Sequence, residues 1–245
     1  MLRSLYTAAT GMEAQTLNID VIANNLANAS TVGFRAERNV FSSVLATAGD
    51  AAESPFSEAV NRFGILSGTT IDQSQGALEK TGNELDLGIE GSGYFVVQTA
   101  DGPMYTRNGA FQVSSHGQLV TASGDAVMGD RGVINILPGP VSISADGTIS
   151  SNGAVEGKLR LVEFPPDTAF KSMGNTYYSA PVKSAQPATN SNVRQGMLES
   201  SNVNPVEGMI ELVSAQRTAE MMQRTLSMLN NDMDKTAAQD LPKVG

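Results

Sequence analysis

The chain has 245 residues, a formal net charge of −9 and 40% hydrophobic residues, which is enough to bury a sizeable core in one or two domains. Its acidic balance, without a basic stripe, argues against a nucleic-acid partner, because nothing would displace counterions from a phosphate backbone. The absence of cysteine excludes disulfides, thiolate metal sites and cysteine nucleophiles, and no apolar run is long enough to span a bilayer, so no membrane insertion is expected.

Residues 2–28 predict an amphipathic N-terminal helix. Residues at alternating spacings of three and four are apolar except for one threonine: Leu2, Leu5, Ala9, Met12, Thr16, Ile19, Ala23 and Leu26. Such a heptad seam is narrow and needs a partner of similar length to cover it. Asn24, Asn25 and Asn28 are poor helix formers in the last turns. Their amides are expected to bond to neighbouring backbone or to another chain, or simply to mark a fraying helix end.

From residue 83 the hydrophobic period changes to two, as Leu85, Leu87 and Ile89 alternate with polar or small residues. Turn dipeptides follow at Asp101-Gly102, Asn108-Gly109, Gly124-Asp125 and Asp146-Gly147. Strands at roughly ten-residue spacing with such turns predict an antiparallel β-domain of hairpins. Only 5% of the residues are aromatic, so no large buried aromatic cluster is expected.

Residues 204–236 predict a second long helix. Its start is indicated by Asn204 as the N-cap, by Pro205 at the first helical position and by Glu207, whose side chain can bond to the backbone of the N-cap. Its seam has the same spacing: Leu212, Ala215, Ala219, Met222, Leu226, Leu229 and Met233. Because the two seams match, the sequence predicts an α+β fold in which the N- and C-terminal helices pair as a coiled-coil-like hairpin around the central antiparallel β-domain. The expected segments are a helical core domain (1–30 and 204–245), an extended connecting region (31–82), the β-domain (83–190) and a return linker (191–203).

The C-terminal helix is also rich in methionine, with Met209, Met221, Met222, Met228 and Met233. An unbranched thioether fills irregular gaps, so these side chains suit an adaptable recognition surface, although core packing is their commoner use. Burial of two narrow apolar seams gains little free energy relative to the entropic cost of ordering the two helices. The hairpin alone is therefore expected to be only marginally stable. The helices are therefore expected to order fully only against copies of the chain or against neighbouring proteins.

Candidate chemistry is sparse. The sole histidine, His116, lies between two predicted strands beside Ser114 and Ser115, without a nucleophile elbow. The glycines of residues 88–93 lack the dinucleotide-binding spacing, and the aspartates at the turns lack the spacing of a calcium loop. No catalytic, cofactor or metal site is expected. A hydrolase that uses His116 and a monomeric ligand-binding module remain the alternatives to a structural subunit.

Three ordered motifs carry a family resemblance across nearly the whole chain. Residues 23–35, ANNLANASTVGFR, resemble the signature of the bacterial flagellar rod and hook family. Residues 199–207, ESSNVNPVE, with Gln216-Arg217 resemble its C-terminal mark, and GSGYF, YTRNG and GQLVT in residues 91–121 resemble its β-domain. Ala219 departs from the pattern, because relatives commonly have an aromatic residue there.

The resemblance implies a non-enzymatic axial subunit without a cofactor, whose terminal helices polymerise into an inner tube while the β-domain lies outside. It implies copies of itself, neighbouring rod proteins and the flagellar export apparatus as partners. It also implies export without a cleaved signal peptide and residence in the periplasm-spanning rod of the basal body. The compact middle segment of the chain favours a proximal rod position. A distal rod position is the alternative, and a hook subunit is a weaker alternative. The residues expected to pack helices or subunits together are Leu2, Leu5, Met12, Ile19, Leu26, Asn24, Asn25, Asn28, Leu212, Met222, Leu226, Leu229 and Met233.

Overall fold

The computed structural model describes residues 2–42, 65–166 and 168–240, and the side chains of residues 11–40, 69–166 and 168–228. Residues 43–64 of the expected connecting region therefore lie outside the description. The chain divides into two compact units. The helical unit comprises Met1–Leu26, Asn39–Thr69 and Pro205–Gly245, and the β unit comprises Ala27–Arg38 and Thr70–Asn204.

Regular structure in the described residues consists of two long helices, nineteen strands and one 3-10 turn at Val182–Ser184. The helices are α1 (Leu2–Ala27) and α2 (Pro205–Asp240). The strands are β1 (Glu37–Ser42), β2 (Ile65–Ile71), β3 (Leu78–Lys80), β4 (Leu87–Glu90), β5 (Tyr94–Thr99), β6 (Gly102–Thr106), β7 (Phe111–Val113), β8 (Leu119–Thr121), β9 (Ala126–Gly129), β10 (Gly132–Val133), β11 (Val141–Ile143), β12 (Thr148–Ser151), β13 (Ala154–Lys158), β14 (Leu161–Glu163), β15 (Lys171–Ser172), β16 (Tyr177–Ser179), β17 (Gln186–Pro187), β18 (Asn192–Gln195) and β19 (Met197–Glu199).

The β unit contains one large sheet and several small ones. The large sheet runs β15-β16-β6-β5-β9-β8-β7, with β10 paired to β9 and β14 paired to both β5 and β17. A three-stranded sheet runs β11-β12-β13, while β18 pairs with β4 and β19 pairs with β3 in antiparallel register. The last two pairs join strands from opposite ends of the unit. The C-terminal segment of the unit is therefore part of its sheets.

Strand β5 lies at the centre of the core, and both of its faces are covered. Phe95 and Val97 point into a cluster with Leu119 and Ile149, all essentially inaccessible to solvent. Its other face joins a second cluster of largely aromatic side chains: Ile71, Tyr94, Val96, Tyr105, Val162, Phe164, Phe170 and Tyr178. The expectation that no large aromatic cluster would form is wrong, because the few aromatic residues are concentrated at one place. Edge-to-face contacts within it have centroid separations such as 4.7 Å for Tyr105 and Phe164.

The α+β composition and the antiparallel β-domain are present, but the predicted coiled-coil-like pairing of the terminal helices is wrong. Thr16 and Ala23, which the seam requires inside, are exposed. The half-buried positions of α1 include polar residues one place before the seam, Gln15, Asn18 and Asn25, as well as the seam residues Met12, Ile19 and Leu26. The covered side of α1 is therefore partly polar and not a continuous apolar seam.

Two hydrogen bonds in the helical unit show how this polar face is used. Gln15 Nε2 donates to the Ala215 carbonyl at 3.0 Å, and Asn39 Nδ2 donates to Asn18 Oδ1 at 3.0 Å. The Gln15 and Asn18 side chains are therefore held by hydrogen bonds and do not belong to an apolar seam. Neither helix in the described residues has the length and apolar character needed to cross a membrane.

Candidate functional site: an apolar helix face and a buried ion cluster

Helix α2 carries large apolar side chains that its own unit leaves exposed. They are Val206 (67% exposed), Met209 (55%), Ile210 (67%), Val213 (48%), Met221 (61%) and Met228 (65%). These six residues form what we call the apolar face of α2. Ser214, Arg217 and Thr218 complete a shallow groove with four of them.

The apolar face is distinct from the seam predicted for this helix. Leu212, Met222 and Leu226 of the seam are half-buried, and Ala215 is buried. At about 100° per residue, the centre of the apolar face lies roughly opposite the centre of that seam. Helix α2 is therefore apolar on two sides, of which one is covered within the chain and the other is bare. An exposed apolar patch of this kind marks an interaction site on a soluble protein.

The predicted packing residues of α1 are placed as follows. Met12, Ile19 and Leu26 are half-buried, as are Asn25 and Asn28, while Asn24 is exposed. Leu2 and Leu5 lie in α1, and Leu229 and Met233 lie in α2, but the side chains of these four residues are outside the description. The role of all these residues between subunits stays a prediction.

Asn28 bonds to the neighbouring backbone, as the sequence suggested. The Asn28 carbonyl accepts from the Thr31 N–H at 3.0 Å, and Asn28 Oδ1 accepts from the Thr31 hydroxyl at 3.2 Å. The asparagine thus closes a turn directly after α1. The turn lies in the β unit, which the chain enters at Ala27.

A buried ion cluster lies in the β unit and consists of Arg35, Arg107 and Glu199. Each of the three side chains is only 1% exposed. Arg35 Nη2 lies 2.7 Å from Glu199 Oε1, and Arg107 Nη1 donates to Glu199 Oε2 at 3.1 Å. One carboxylate therefore faces two guanidinium groups, each from a different part of the chain.

Backbone groups complete the surroundings of the ion cluster. Glu199 Oε1 also accepts from the Gly76 N–H at 2.9 Å. Arg107 Nη2 donates to the Gly91 carbonyl at 2.7 Å, and its guanidinium lies 4.8 Å from the centroid of the Tyr94 ring. The Arg35 side chain donates to the Ser74 carbonyl. These contacts hold both cations in place without exposing them.

The electrostatic balance of the cluster is incomplete. Burial lowers the pKa of the Arg107 guanidinium and nearby Arg35 lowers it further, although Glu199 acts in the opposite direction. The Nε atoms of Arg35 and Arg107 have no hydrogen-bond partner. Burial of the two guanidinium charges is tolerated only while the Glu199 carboxylate lies beside them.

The cluster joins the three motifs on which the family resemblance rests. Arg35 ends the N-terminal motif, Arg107 lies in YTRNG, and Glu199 begins the C-terminal motif. No local pattern indicates that these three charges meet, since they lie far apart in the sequence. The ordered recurrence of the motifs was the only available signal.

The structure offers no support for hydrolysis at His116. His116 and Ser115 are both exposed in the turn between β7 and β8, with 3.3 Å between Ser115 Oγ and His116 Nδ1. No carboxylate forms an ion pair or hydrogen bond with His116 in the described residues. Within that same part of the chain, no group of three or more His, Asp or Glu side chains is placed to hold a metal ion.

Comparison with known families gives three matches in chain order. The family described as "Flagella basal body rod protein" matches residues 5–35, which include α1 and Arg35. The "Flagellar hook protein FlgE/F/G D1 domain" matches residues 88–156. The "Flagellar basal body rod FlgEFG protein C-terminal" matches residues 194–239, which include Glu199 and most of α2.

Comparison with individual proteins gives relatives of similar length. The flagellar basal-body rod protein FlgF of Caulobacter vibrioides is 33% identical over 250 residues, which cover 100% of both chains. FlgF of Mesorhizobium japonicum is 34% identical over 237 residues, covering 93% of this chain and 95% of its own. FlgG of Buchnera aphidicola subsp. Acyrthosiphon pisum is 33% identical over 259 residues, covering 96% of this chain and 98% of its own.

Proposed function

The chain belongs to the family of flagellar basal-body rod proteins, and from that premise we propose that it is a non-enzymatic structural subunit of the rod that links motor to hook. The observation that supports this most directly is the apolar face of α2, which the described part of the helical unit leaves bare. We propose that copies of this chain and neighbouring rod proteins cover that face in the assembled rod. The polymer then gains apolar burial that the free subunit lacks.

Within the rod, we propose a proximal, FlgF-like position. The alignment with the Caulobacter FlgF spans 250 positions and uses all 245 residues, so few insertions separate the two chains. The alignment with the Buchnera FlgG spans 259 positions but covers only 96% of this chain, so the FlgG has insertions that this chain lacks. A distal, FlgG-like position is the alternative, since FlgG relatives are equally similar in identity.

The proposed location is the basal body, which the subunit would reach through the flagellar export apparatus. Loss of a proximal subunit should stop the rod before distal subunits are added. Basal bodies purified from cells that lack this chain should therefore have no distal rod. If proximal rod segments were still assembled in those cells, the distal position would be the correct one.

The proposed assembly surface is tested by placing charge on the apolar face. In cells whose own copy has been deleted, the double variant Ile210→Asp/Met221→Asp should fail to restore rods and swimming, because buried carboxylates would lack partners. The matched control is Gln216→Asp/Gln223→Asp, which adds the same charge to exposed positions of the same helix outside the groove. The control should restore assembly. Equal assembly by both double variants, with equal protein levels, would contradict the proposal.

A further inference from the structure

Glu199 is the residue at which three segments of the β unit meet. Its side chain contacts Arg35 and Arg107, and its backbone carbonyl accepts from the Gly33 N–H at 2.7 Å. Arg35 lies at the entry of the chain into the unit, and Glu199 lies near its exit. Contact between them therefore closes a loop that contains nearly the whole β unit.

Asn202, three residues after Glu199, bonds to the same neighbouring segments. Its Oδ1 accepts from the Ala36 N–H at 2.7 Å, and its Nδ2 donates to the carbonyls of Asp72 and Ser74 at 3.1 and 3.0 Å. The Ser200 N–H also donates to the Ala77 carbonyl at 2.8 Å. The exit segment, residues 199–202, therefore ties residues 33–36 to residues 72–77.

The charges make the loss of Glu199 from this junction costly. With Glu199 in place, the ion cluster holds two guanidinium groups and one carboxylate, all buried. When Glu199 leaves, two buried cations face each other with no anion between them. Breaking a buried ion pair on one side is far more costly than losing an exposed one.

We propose that Arg35, Arg107 and Glu199 form a late-closing latch, which shuts after the folding transition state and whose opening limits the unfolding rate of the β unit. Contacts between residues far apart in the chain form only after the intervening loops have closed. An interaction that is absent from the transition state affects the unfolding rate and leaves the folding rate nearly unchanged. The latch is a property of the single subunit and does not depend on the proposed role in the rod.

The test is the kinetics of the purified full-length chain in urea. Tyrosine fluorescence reports on the β unit, since four of the five tyrosines lie there and the chain has no tryptophan. Glu199→Gln should raise the unfolding rate roughly 100-fold or more and leave the refolding rate within about threefold. The matched control is Glu90→Gln, which breaks an exposed pair with Arg194 at 2.7 Å and should change the unfolding rate by less than about fivefold.

A second pair of variants covers the case in which Glu199→Gln does not fold. Arg107→Met leaves the neutral Arg35–Glu199 pair and should raise the unfolding rate by roughly tenfold, again without slowing refolding. In the double variant Glu199→Gln/Arg107→Met only one stranded cation remains, so it should unfold more slowly than Glu199→Gln alone. Slower refolding with an unchanged unfolding rate in Arg107→Met or Glu199→Gln would overturn the latch. So would additive effects of the two substitutions.

Discussion

At the residue scale, Gly33 shows how closely the chain segments of the β unit approach each other. Its φ of +69° lies in the left-handed region, and a Cβ added there would fall 2.3 Å from the Asn108 backbone nitrogen. The glycine therefore meets two demands at once, on conformation and on space. A glycine shortly after a helix is typical of the first demand, but no local pattern indicates the second.

Replacing Gly33 by alanine separates these two demands. Gly33→Ala should destabilise the β unit by about 3 kcal/mol or more, since strain and a backbone clash add. Gly82→Ala is the control, because Gly82 has a similar φ of +78° and open space around its Cβ position. That variant should lose only about 1 kcal/mol. Urea unfolding measures both, and equal losses would contradict the close approach at Gly33.

Asp72 is expected to make the stability of the β unit sensitive to acid. Burial alone would raise the pKa of Asp72, but hydrogen bonds from the Ser74 N–H and hydroxyl and the charge of Arg38 outweigh it, so the pKa is lowered from 3.8. A lowered pKa in the folded state stabilises the protein above the unfolded value and loses that effect as the pH falls through the folded value.

The comparison of the native chain with Asp72→Asn tests this. The difference in their free energies of unfolding should be constant between about pH 7 and pH 5 and should shrink below about pH 4, as the carboxylate is protonated in both states. Urea unfolding at a series of pH values measures it. A difference that grows as the pH falls would contradict the account.

Also at this scale, Asn108-Gly109 shows why a correct motif can have a different use. The dipeptide predicted a hairpin turn, but it connects β6 to β7, which are not paired with each other. A Cβ at Gly109 would lie 1.7 Å from the Leu87 carbonyl oxygen, so the glycine permits a close approach of backbone. The hairpin turn with two positive φ values is at Asn152-Gly153, between β12 and β13.

At the element scale, both helices and strand β4 were predicted from periodicity, because apolar residues recur in them at the spacing of a helix or of a strand. Strands β18 and β19 lie in a stretch that was expected to be a polar return, and they have no alternating pattern. Their partners β4 and β3 are more than a hundred residues earlier in the chain, so pairing is imposed by the rest of the unit. The local sequence of a strand does not indicate which distant strand it pairs with.

The coiled-coil-like hairpin failed for a related reason. The described seam residues of α2 are half-buried or buried, whereas Thr16 and Ala23 of the α1 seam are exposed and the polar Gln15 and Asn18 make hydrogen bonds. A search for apolar periodicity does not detect a helix face whose polar side chains form hydrogen bonds. The bare side of α2 was foreseen only in part, through Met209, Met221 and Met228, and Ile210 and Val213 were missed.

Helix α2 should tolerate a better helix former at Gly208. A Cβ added there would lie 3.9 Å from Leu26 Cδ1, which is an ordinary contact. Gly208→Ala should therefore stabilise the helical unit by about 0.5–1 kcal/mol through helix propensity. Thermal unfolding followed by circular dichroism at 222 nm measures the gain. Gly157→Ala, which also has open space but lies in β13, should show no such gain in helix stability, and a loss at Gly208 would contradict the prediction.

At the scale of the whole molecule, family membership came from three motifs in order, and the structure shows that residues from those motifs meet in one ion cluster. The bare face of α2 belongs to the other unit and supplies the proposed means of assembly. The two features separate two properties of a rod subunit. The proposed role of the ion cluster is in the stability of each subunit, and the proposed role of the apolar face is in contacts with neighbouring subunits.

The most direct test of the central claim is a cryo-electron microscopy map of the intact basal body in which this chain is traced. The proposal predicts that Ile210, Val213 and Met221 lie within about 4.5 Å of apolar side chains of neighbouring subunits. It also predicts that the chain occupies the proximal rod. A traced rod in which these three side chains face solvent, or a basal body without this chain in its axis, would contradict the account.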